Sequence, residues 1–297
     1  MATLKEVETK IAGVKKTKQI TKAMNMVATS RLRSSQSKME AFRPYAVKFA
    51  EVLGSLSEKA GEEASPLLVP REEVKKINVV LCTSDRGLCA GFNTNLVTEA
   101  KKLLDKKSEE NIELSFTSFG KKGRDWCRRL SIPRLDEYLG IVGSKFGFNI
   151  ASVSGQKIID GFLDGEYDEV YIIYSEFISM AKQITVLKQL LPVSPIESSE
   201  EDKNEEGKPY LAEHICEPST DELLGDMLPK NIFVQLYSAL LETSTSEHAA
   251  RMTAMDNATN ACDDMIESLS LAYNKARQAS ITADLMDIVG GAEALKG

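Results

Sequence analysis

Residues 248–281 read HAARMTAMDNATNACDDMIESLSLAYNKARQASI, and this stretch decides the fold. It contains eight alanines and no glycine or proline, which is the composition of a helix interior. Residues 230–289 contain no glycine or proline either. At ~1.5 Å per residue that span is ~90 Å long, whereas a compact chain of this length has a radius of gyration of only ~19 Å. We therefore expect a helix that bends back or extends away from any globular part.

An alanine-rich stripe follows this helix at steps of three and four residues, the spacing of a coiled-coil seam. Alanine allows close helix axes but buries little apolar area, and burial contributes only ~25 cal/mol per Å². The stripe predicts a slender helix pair of low stability. Its members are Ala258, Ala261, Met265, Leu269, Ala272, Ala276, Ala279, Ala283 and Met286.

The first 57 residues predict the partner helix, which Pro44 is expected to end or kink. Its seam has the same period and is interrupted by polar residues at 18–25. The predicted seam is Leu4, Val7, Ile11, Val14, Lys18, Thr21, Asn25, Ala28, Leu32, Ser35, Met39 and Phe42. In an alternative register the stripe slips to Ile20, Met24 and Val27, which would change the supercoil locally.

The charges of the two chain ends are complementary. Residues 1–60 contain twelve Lys and Arg against five Glu, whereas residues 230–297 contain five Lys and Arg against nine Asp and Glu. Exposed ion pairs contribute only ~0.2–1 kcal/mol each, so they select the partner more than they stabilise the pair. Because a domain separates the two helices along the chain, we expect them to pair antiparallel.

Between the two helices the pattern changes to alternating strands and helices. After a linker at 58–75, INVVLCT (77–83) and NIELSFTSFG (111–120) predict strands. Helices are predicted at 91–107, 121–130 and 146–165, and a closing strand pair at 168–177 and 184–193. The fold class is α/β: a long antiparallel coiled coil of the N- and C-terminal helices plus a central Rossmann-like α/β domain with a mostly parallel sheet at 76–195.

The third predicted domain is the C-terminal segment, residues 210–297, after the coiled-coil helix at 1–57 and the α/β domain. It follows an acidic loop at 197–209 that we expect to be flexible. Pro229 suits the first turn of the long helix, and Gly290–Gly291 predict its end.

The sharpest local motif is TSDRGLCAGFN at 83–93, directly after the first strand. Gly87 and Gly91 match neither GxGxxG nor GxxxxGK[ST], so no nucleotide fingerprint is met. A structural turn formed by Gly87, Cys89 and Gly91 is the preferred interpretation, with a ligand site or a partner contact as alternatives.

Residues suited to catalysis or metal binding are few. His214 and His248 are interpreted as solvated or satisfied histidines, and Ser84–Asp85 has no histidine nearby in sequence. The five cysteines form no CxxC pair and are expected to be buried thiols in a reducing compartment: Cys82, Cys89, Cys127, Cys216 and Cys262. We predict no catalytic residue, no metal site and no cofactor in this chain.

Arg277 and Gln278 lie in NKARQASIT (274–282), beside Ala276 of the predicted seam, so both point away from it. They form either a solvated face or a contact in which Arg277 makes charge-assisted hydrogen bonds to an encircling partner.

No run approaches the ~18–20 apolar residues that cross a bilayer, and the first residues do not resemble a secretory signal. We expect a cytoplasmic protein that reaches a membrane only through a partner.

Three segments make the chain resemble the gamma subunits of F-type ATP synthases: KTKQITKAMNMVATSRLR (16–33), TSDRGLCAGFN (83–93) and SEHAARMTAMDNATNACDDMIESLSLAYNKARQASITADLMDIVGGAEAL (246–295). The resemblance implies a non-catalytic rotor shaft, one copy per complex, inside a ring of alpha and beta subunits. Its foot would attach to the epsilon subunit and the c-ring, so that proton flow drives conformational change in the beta catalytic sites.

The resemblance also implies roles for individual residues. Arg277 and Gln278 match the family's ARQ, which contacts the beta subunits, and Lys22 and Met24 match its KAM in a basic band that faces beta. Many members have Gly-Gly where this chain has Ala90–Gly91.

At the foot, some members have Tyr-x-Tyr-Glu-Pro where this chain has HICEP at 214–218. Glu217, with His214 beside it, is then expected at the contact with the c-ring and epsilon. The resemblance is to bacterial members, at the cytoplasmic face of the inner membrane. The main alternative is a basic coiled-coil protein that binds nucleic acid through residues 9–39, which the acidic pI of about 5.2 disfavours.

Overall fold

The structure, a computed structural model, describes residues 4–60, 65–193 and 220–295. It confirms the predicted fold class, a mixed α/β chain with a five-stranded sheet and long terminal helices. In chain order the elements are α1 (Leu4–Ala60), β1 (Lys76–Cys82), α2 (Phe92–Glu109), β2 (Glu113–Phe119), α3 (Lys121–Arg129), β3 (Arg134–Tyr138), α4 (Phe148–Leu163), β4 (Glu169–Phe177), β5 (Gln183–Leu191) and α5 (Thr220–Ala294).

The chain divides into two compact units. Unit 1 consists of residues 1–29 and 251–297, and unit 2 of residues 30–250. Helices α1 and α5 each contribute residues to both units. The division at 1–57, 76–195 and 210–297 expected from the sequence stays a prediction.

The sheet of unit 2 has the strand order β3-β2-β1-β4-β5, with β1 to β4 parallel and β5 antiparallel to β4. Alternate residues of β1 enter two different cores because successive side chains point to opposite faces of a sheet. Ile77, Val79 and Leu81 pack with α2 and α3. Val80 and Cys82 pack with α4 and with parts of α1 and α5. The sheet therefore has a helical layer on each face.

Strand β3 was not predicted. It lies at the sheet edge, and three of its five residues are exposed, with the other two half-buried. The sequence RLDEY therefore lacks the buried pattern that identified the inner strands.

Two predicted helix boundaries are wrong, both on α5. Helix α1 does not end at Pro44 but continues to Ala60, three residues beyond the predicted end at 57. Helix α5 includes Pro229 within its length, and it continues through Gly290–Gly291 to Ala294. A glycine costs a helix only ~1 kcal/mol relative to alanine, so neither glycine by itself requires the helix to end.

Candidate functional site

In unit 1 the two chain ends form an antiparallel helix pair. Lys18 forms an ion pair with Asp263. The hydroxyl oxygens of Thr21 and Thr259 are 2.8 Å apart. The side-chain amide of Asn25 donates to the carbonyl oxygen of Met252 at 2.9 Å. Because the residue numbers rise on one helix as they fall on the other, the pairing is antiparallel, as predicted.

The seam of α1 is confirmed in its continuous register. All twelve predicted seam residues are buried or half-buried, including the polar interruption at 18–25. The slipped alternative is wrong, because Ile20 is 60% exposed and Val27 is 54% exposed. The polar seam residues keep the register by bonding to α5.

The predicted seam of α5 is largely wrong. Ala258, Leu269 and Ala276 are half-buried, but the other six predicted residues are exposed: Ala261, Met265, Ala272, Ala279, Ala283 and Met286. Four of the residues that face α1 instead lie one position further along the chain: Cys262, Ile266, Tyr273 and Ser280. Alanine fits either a seam or an outer surface, so its abundance did not identify the buried stripe.

The residues expected at the beta contact lie on the outside of this pair or at its edge. Arg277, Gln278 and Lys22 are exposed, whereas Met24 is half-buried. The bond between Thr21 and Thr259 puts Lys22 near the level of residue 258, so it is separated from Arg277 by roughly 30 Å along the pair. The structure therefore places two separate candidate contact regions on unit 1.

Beyond residue 280, no described residue of α5 is buried against α1. Lys18 lies opposite Asp263, and the two helices run antiparallel. Fourteen residues before Lys18 is Leu4, and fourteen residues after Asp263 is Arg277, so Leu4 lies at about the level of Arg277. Residues 281–295 are all exposed, and they include Ile281, Leu285, Met286, Ile288, Val289 and Leu295. An exposed apolar surface of this kind is typical of a protein interaction site.

The loop at 83–93 in unit 2 is organised by hydrogen bonds within itself and to α3. Ser84 N donates to Asn93 Oδ1 at 3.0 Å, and Gly123 N donates to Thr83 Oγ1 at 2.8 Å. Cys89 is buried, Gly87 is half-buried and Gly91 is exposed at the start of α2. Two residues beside them, Leu88 and Ala90, have positive φ angles of 62° and 48°.

The described thiols fit a structural role. Cys82, Cys89 and Cys127 are buried and Cys262 is half-buried. Burial raises the pKa of Cys82 and raises that of Cys127 to about 11, so both stay protonated and unreactive at neutral pH. His248 is buried on α5. Cys216, His214 and Glu217 lie outside the described residues, as does the acidic loop at 197–209.

Within the described ranges, no group of His, Cys, Asp and Glu is arranged to hold a metal ion. No helix in that part of the chain is long and apolar enough to span a bilayer.

Sequence reasoning missed a buried polar stretch of α5. Residues 243–248 read TSTSEH, and every one is at most 2% exposed. The sequence carried no signal for it, because a hydroxyl side chain in a helix is buried only where it finds a partner, and these partners are distant in the chain.

The geometry defines a class of protein. Two long helices, α1 and α5, each contribute to a sheet domain and to an antiparallel helix pair. The helix pair carries a candidate interaction surface. A family model described as ATP synthase matches residues 3–295. The ATP synthase gamma chain of Desulfosudis oleivorans is 69% identical over 100% of both chains. That of Desulforapulum autotrophicum is 64% identical over 99% of this chain and 100% of the relative.

Solved structures agree on the fold. The rotor of the Euglena gracilis mitochondrial ATP synthase matches with a TM-score of 0.67 at 21% identity, covering 94% of this chain and 98% of the other. The central stalk and c-ring structure of the Tetrahymena thermophila mitochondrial enzyme matches with a TM-score of 0.57 at 25% identity, covering 80% of this chain and 99% of the other. This chain belongs to the ATP synthase gamma-chain family. Its role is in the central stalk of an F-type ATP synthase, a membrane-associated complex.

Proposed function

We propose that this chain is the rotor shaft that couples proton-driven rotation of a c-ring to conformational change in beta catalytic sites. The full-length match to ATP synthase gamma chains carries the proposal. The antiparallel helix pair supports it, because a rotating element must transmit torque along its length. In this role the chain performs no bond chemistry itself and binds the alpha, beta and epsilon subunits and the c-ring.

We place the complex at the inner membrane of a bacterium, with this chain on the cytoplasmic face. The bacterial relatives support this placement. The chain would then meet the membrane only through the c-ring.

On unit 1, we propose that Arg277 and Gln278 form one contact with the beta subunits and that Lys22 and Met24 form another. The exposed guanidinium of Arg277 suits charge-assisted hydrogen bonds to a carboxylate or a carbonyl oxygen. Glu217 and His214 are retained as the proposed contact with the c-ring and epsilon. Gly87, Cys89 and Gly91 are retained as the proposed structural turn.

The decisive experiment is co-expression of this chain with the alpha and beta subunits of its own organism. We expect a complex that hydrolyses ATP and rotates a probe attached to this chain. A complex that forms without this chain in it, or that never rotates, would overturn the proposed function.

Arg277→Ala tests the contact residue within that complex. A charge-assisted hydrogen bond contributes ~1.5–3 kcal/mol, so we expect roughly a tenfold or greater loss in the rate of ATP-driven rotation. Lys275→Ala is the matched control, since Lys275 is an exposed cation two residues away on the same helix. Equal effects of the two substitutions would refute the specific role of Arg277.

A further inference from the structure

One segment of α5 is buried on all sides. From Thr243 to Ala250 no residue is more than 9% exposed, although six of these eight side chains are polar or charged. A packed helix normally buries an apolar stripe and exposes its other face. Three of its polar residues contact neighbouring elements within unit 2: Thr243, Ser244 and Ser246.

The first neighbour is the end of strand β4. Pairing between β1 and β4 ends at Leu81 and Ile173, two residues before Ser175. The amide of Ser175 donates to Thr243 Oγ1 at 3.4 Å, and its carbonyl oxygen accepts from Ser246 Oγ at 3.2 Å. Two hydroxyls of α5 therefore bond to the amide and the carbonyl oxygen of Ser175, beyond the point where β4 stops pairing with β1.

The second neighbour is α1, whose Ser35 Oγ lies 3.5 Å from Ser244 Oγ. The third neighbour is the loop at 139–147. Arg31 Nη1 of α1 donates to the carbonyl oxygen of Gly143 at 2.9 Å. Gly143 has φ +79°, and a Cβ atom there would overlap Oε2 of the buried Glu247.

Three elements thus surround α5 at one level: β4, α1 and the loop. Apolar packing resists separation of a helix from its neighbours but is non-directional. Hydrogen bonds have preferred distances and angles, so they also resist rotation of the helix about its own axis. Buried polar groups of this kind contribute less to stability than to a unique arrangement in some proteins.

We propose that these groups form a collar that locks the axial rotation of α5 against the sheet, and that Thr243, Ser246 and Gly143 are positioning residues in the torque path. The proposal rests on the proposed rotor function. Arg31 and Glu247 lie close in sequence to the residues where unit 2 ends, Ser30 and Ala250. The collar therefore holds both helices just before each continues into unit 1.

The test uses the complex with alpha and beta subunits fixed to a surface and a gold rod attached to the exposed face of α2. Thermal fluctuations of the rod angle report torsional stiffness. The variant is Thr243→Val combined with Ser246→Ala, which removes both bonds to Ser175. We expect the variance of the angle to increase about twofold or more, because two cross-element hydrogen bonds are lost. The melting temperature of this variant should fall, because the buried amide and carbonyl groups of Ser175 lose their partners.

The matched control is Thr245→Val. Thr245 is equally buried on the same helix, but its hydroxyl donates to Leu241 of its own helix, at 2.8 Å, and to no other described residue. We expect wild-type stiffness from this control. Equal stiffness in the two variants and the wild type would overturn the proposal. The proposal would also be overturned if the double variant and the Thr245→Val control both lost stiffness in proportion to their loss of thermal stability. Such a result would show a general structural effect and no specific role of the bonds to Ser175.

A second pair of variants decides the question if the double variant does not fold. Gly143→Ala and Gly140→Ala both place an alanine at positive φ, but only the first adds an atom against Glu247, because nothing lies within 4 Å of a Cβ at Gly140. We expect reduced stiffness from Gly143→Ala alone, and the same behaviour in both would overturn the proposal. A wild-type chain that fails to rotate would refute the rotor function instead, so the two failures are distinguishable.

Discussion

At the scale of single residues, Ala90 is held in a backbone conformation that does not suit it. Its φ of 48° lies in the left-handed region, which costs an L-residue roughly 1–2 kcal/mol. Glycine has no such cost but loses more entropy on folding. We expect Ala90→Gly to raise the free energy of unfolding by up to ~1 kcal/mol, measured by urea denaturation. Ala261→Gly, at an exposed helical position, should lower the free energy of unfolding by a similar amount. If both substitutions changed the free energy of unfolding in the same direction, the explanation from the positive φ of Ala90 would be refuted.

Glu242 makes the stability of the fold depend on pH. Burial, and then the charge of Glu176, raises its pKa from 4.5 to about 7, against a smaller opposing effect of Arg43. Because the folded state holds this proton more tightly than the unfolded state, the free energy of unfolding falls as the pH rises from about 4.5 through about 7. After a discount for partial exposure, the loss is roughly 1–2 kcal/mol.

We expect Glu242→Gln to remove this part of the pH dependence and to make the chain more stable than the wild type at pH 8. Denaturation midpoints measured across that pH window would check this. Glu72→Gln, at an exposed glutamate, is the control and should leave the slope unchanged. Parallel wild-type and Glu242→Gln curves would contradict the assignment.

At the scale of elements, the polar part of the helix pair is predicted to be its most compliant part. Thr21 and Thr259 bond to each other across the pair where an apolar coiled coil would have packed side chains. We expect Thr21→Val with Thr259→Val to leave stability unchanged or to raise it by up to ~1 kcal/mol, because replacing both partners of a half-buried polar pair by apolar groups of the same shape is neutral or stabilising. The same change should reduce the torsional compliance of the rotor in single-molecule measurements.

Thr17→Val is the control for this element, since Thr17 is exposed and, within the part of the chain that the structure describes, its hydroxyl donates to Gly13 of its own helix. Unchanged compliance in the double variant would show that the elastic strain is taken up elsewhere.

At the scale of the whole molecule, the end of α5 is expected to need its partners. Residues 281–295 are exposed, and no described part of α1 lies opposite them. An isolated helix of that length is marginal in water. In hydrogen exchange of the isolated chain we expect rapid exchange at 281–295 and slow exchange in β1. Assembly with alpha and beta should slow exchange in the first region, and strong protection there in the isolated chain would contradict the prediction.

Four of the five strands and the seam of α1 could be predicted, because the pattern of apolar residues that identifies them lies within each segment. Strands β1 and β4 contain runs of apolar residues that require burial, and β2 and β5 contain apolar residues between polar ones, a pattern typical of strands. Helix α1 shows a single stripe of mostly large apolar side chains. The seam of α5 could not be predicted in the same way. Alanines line several of its faces, and only contact with α1 distinguishes Ile266 and Tyr273 from Met265 and Ala272.

By itself the sequence determined the α/β class and the antiparallel pairing of the two ends, because hydrophobic period and the order of the segments are properties of the sequence. The exposure of Arg277 and Gln278 was predicted from a seam through Ala276 and Ala279, of which only Ala276 is half-buried. Tertiary structure alone decided which face of α5 meets α1, and why TSTSEH is buried. Those outcomes depend on groups distant in the chain, such as the backbone of Ser175 beyond the end of the β1 ladder. A polar side chain in a helix reveals its role only when the partner that satisfies it has been placed beside it.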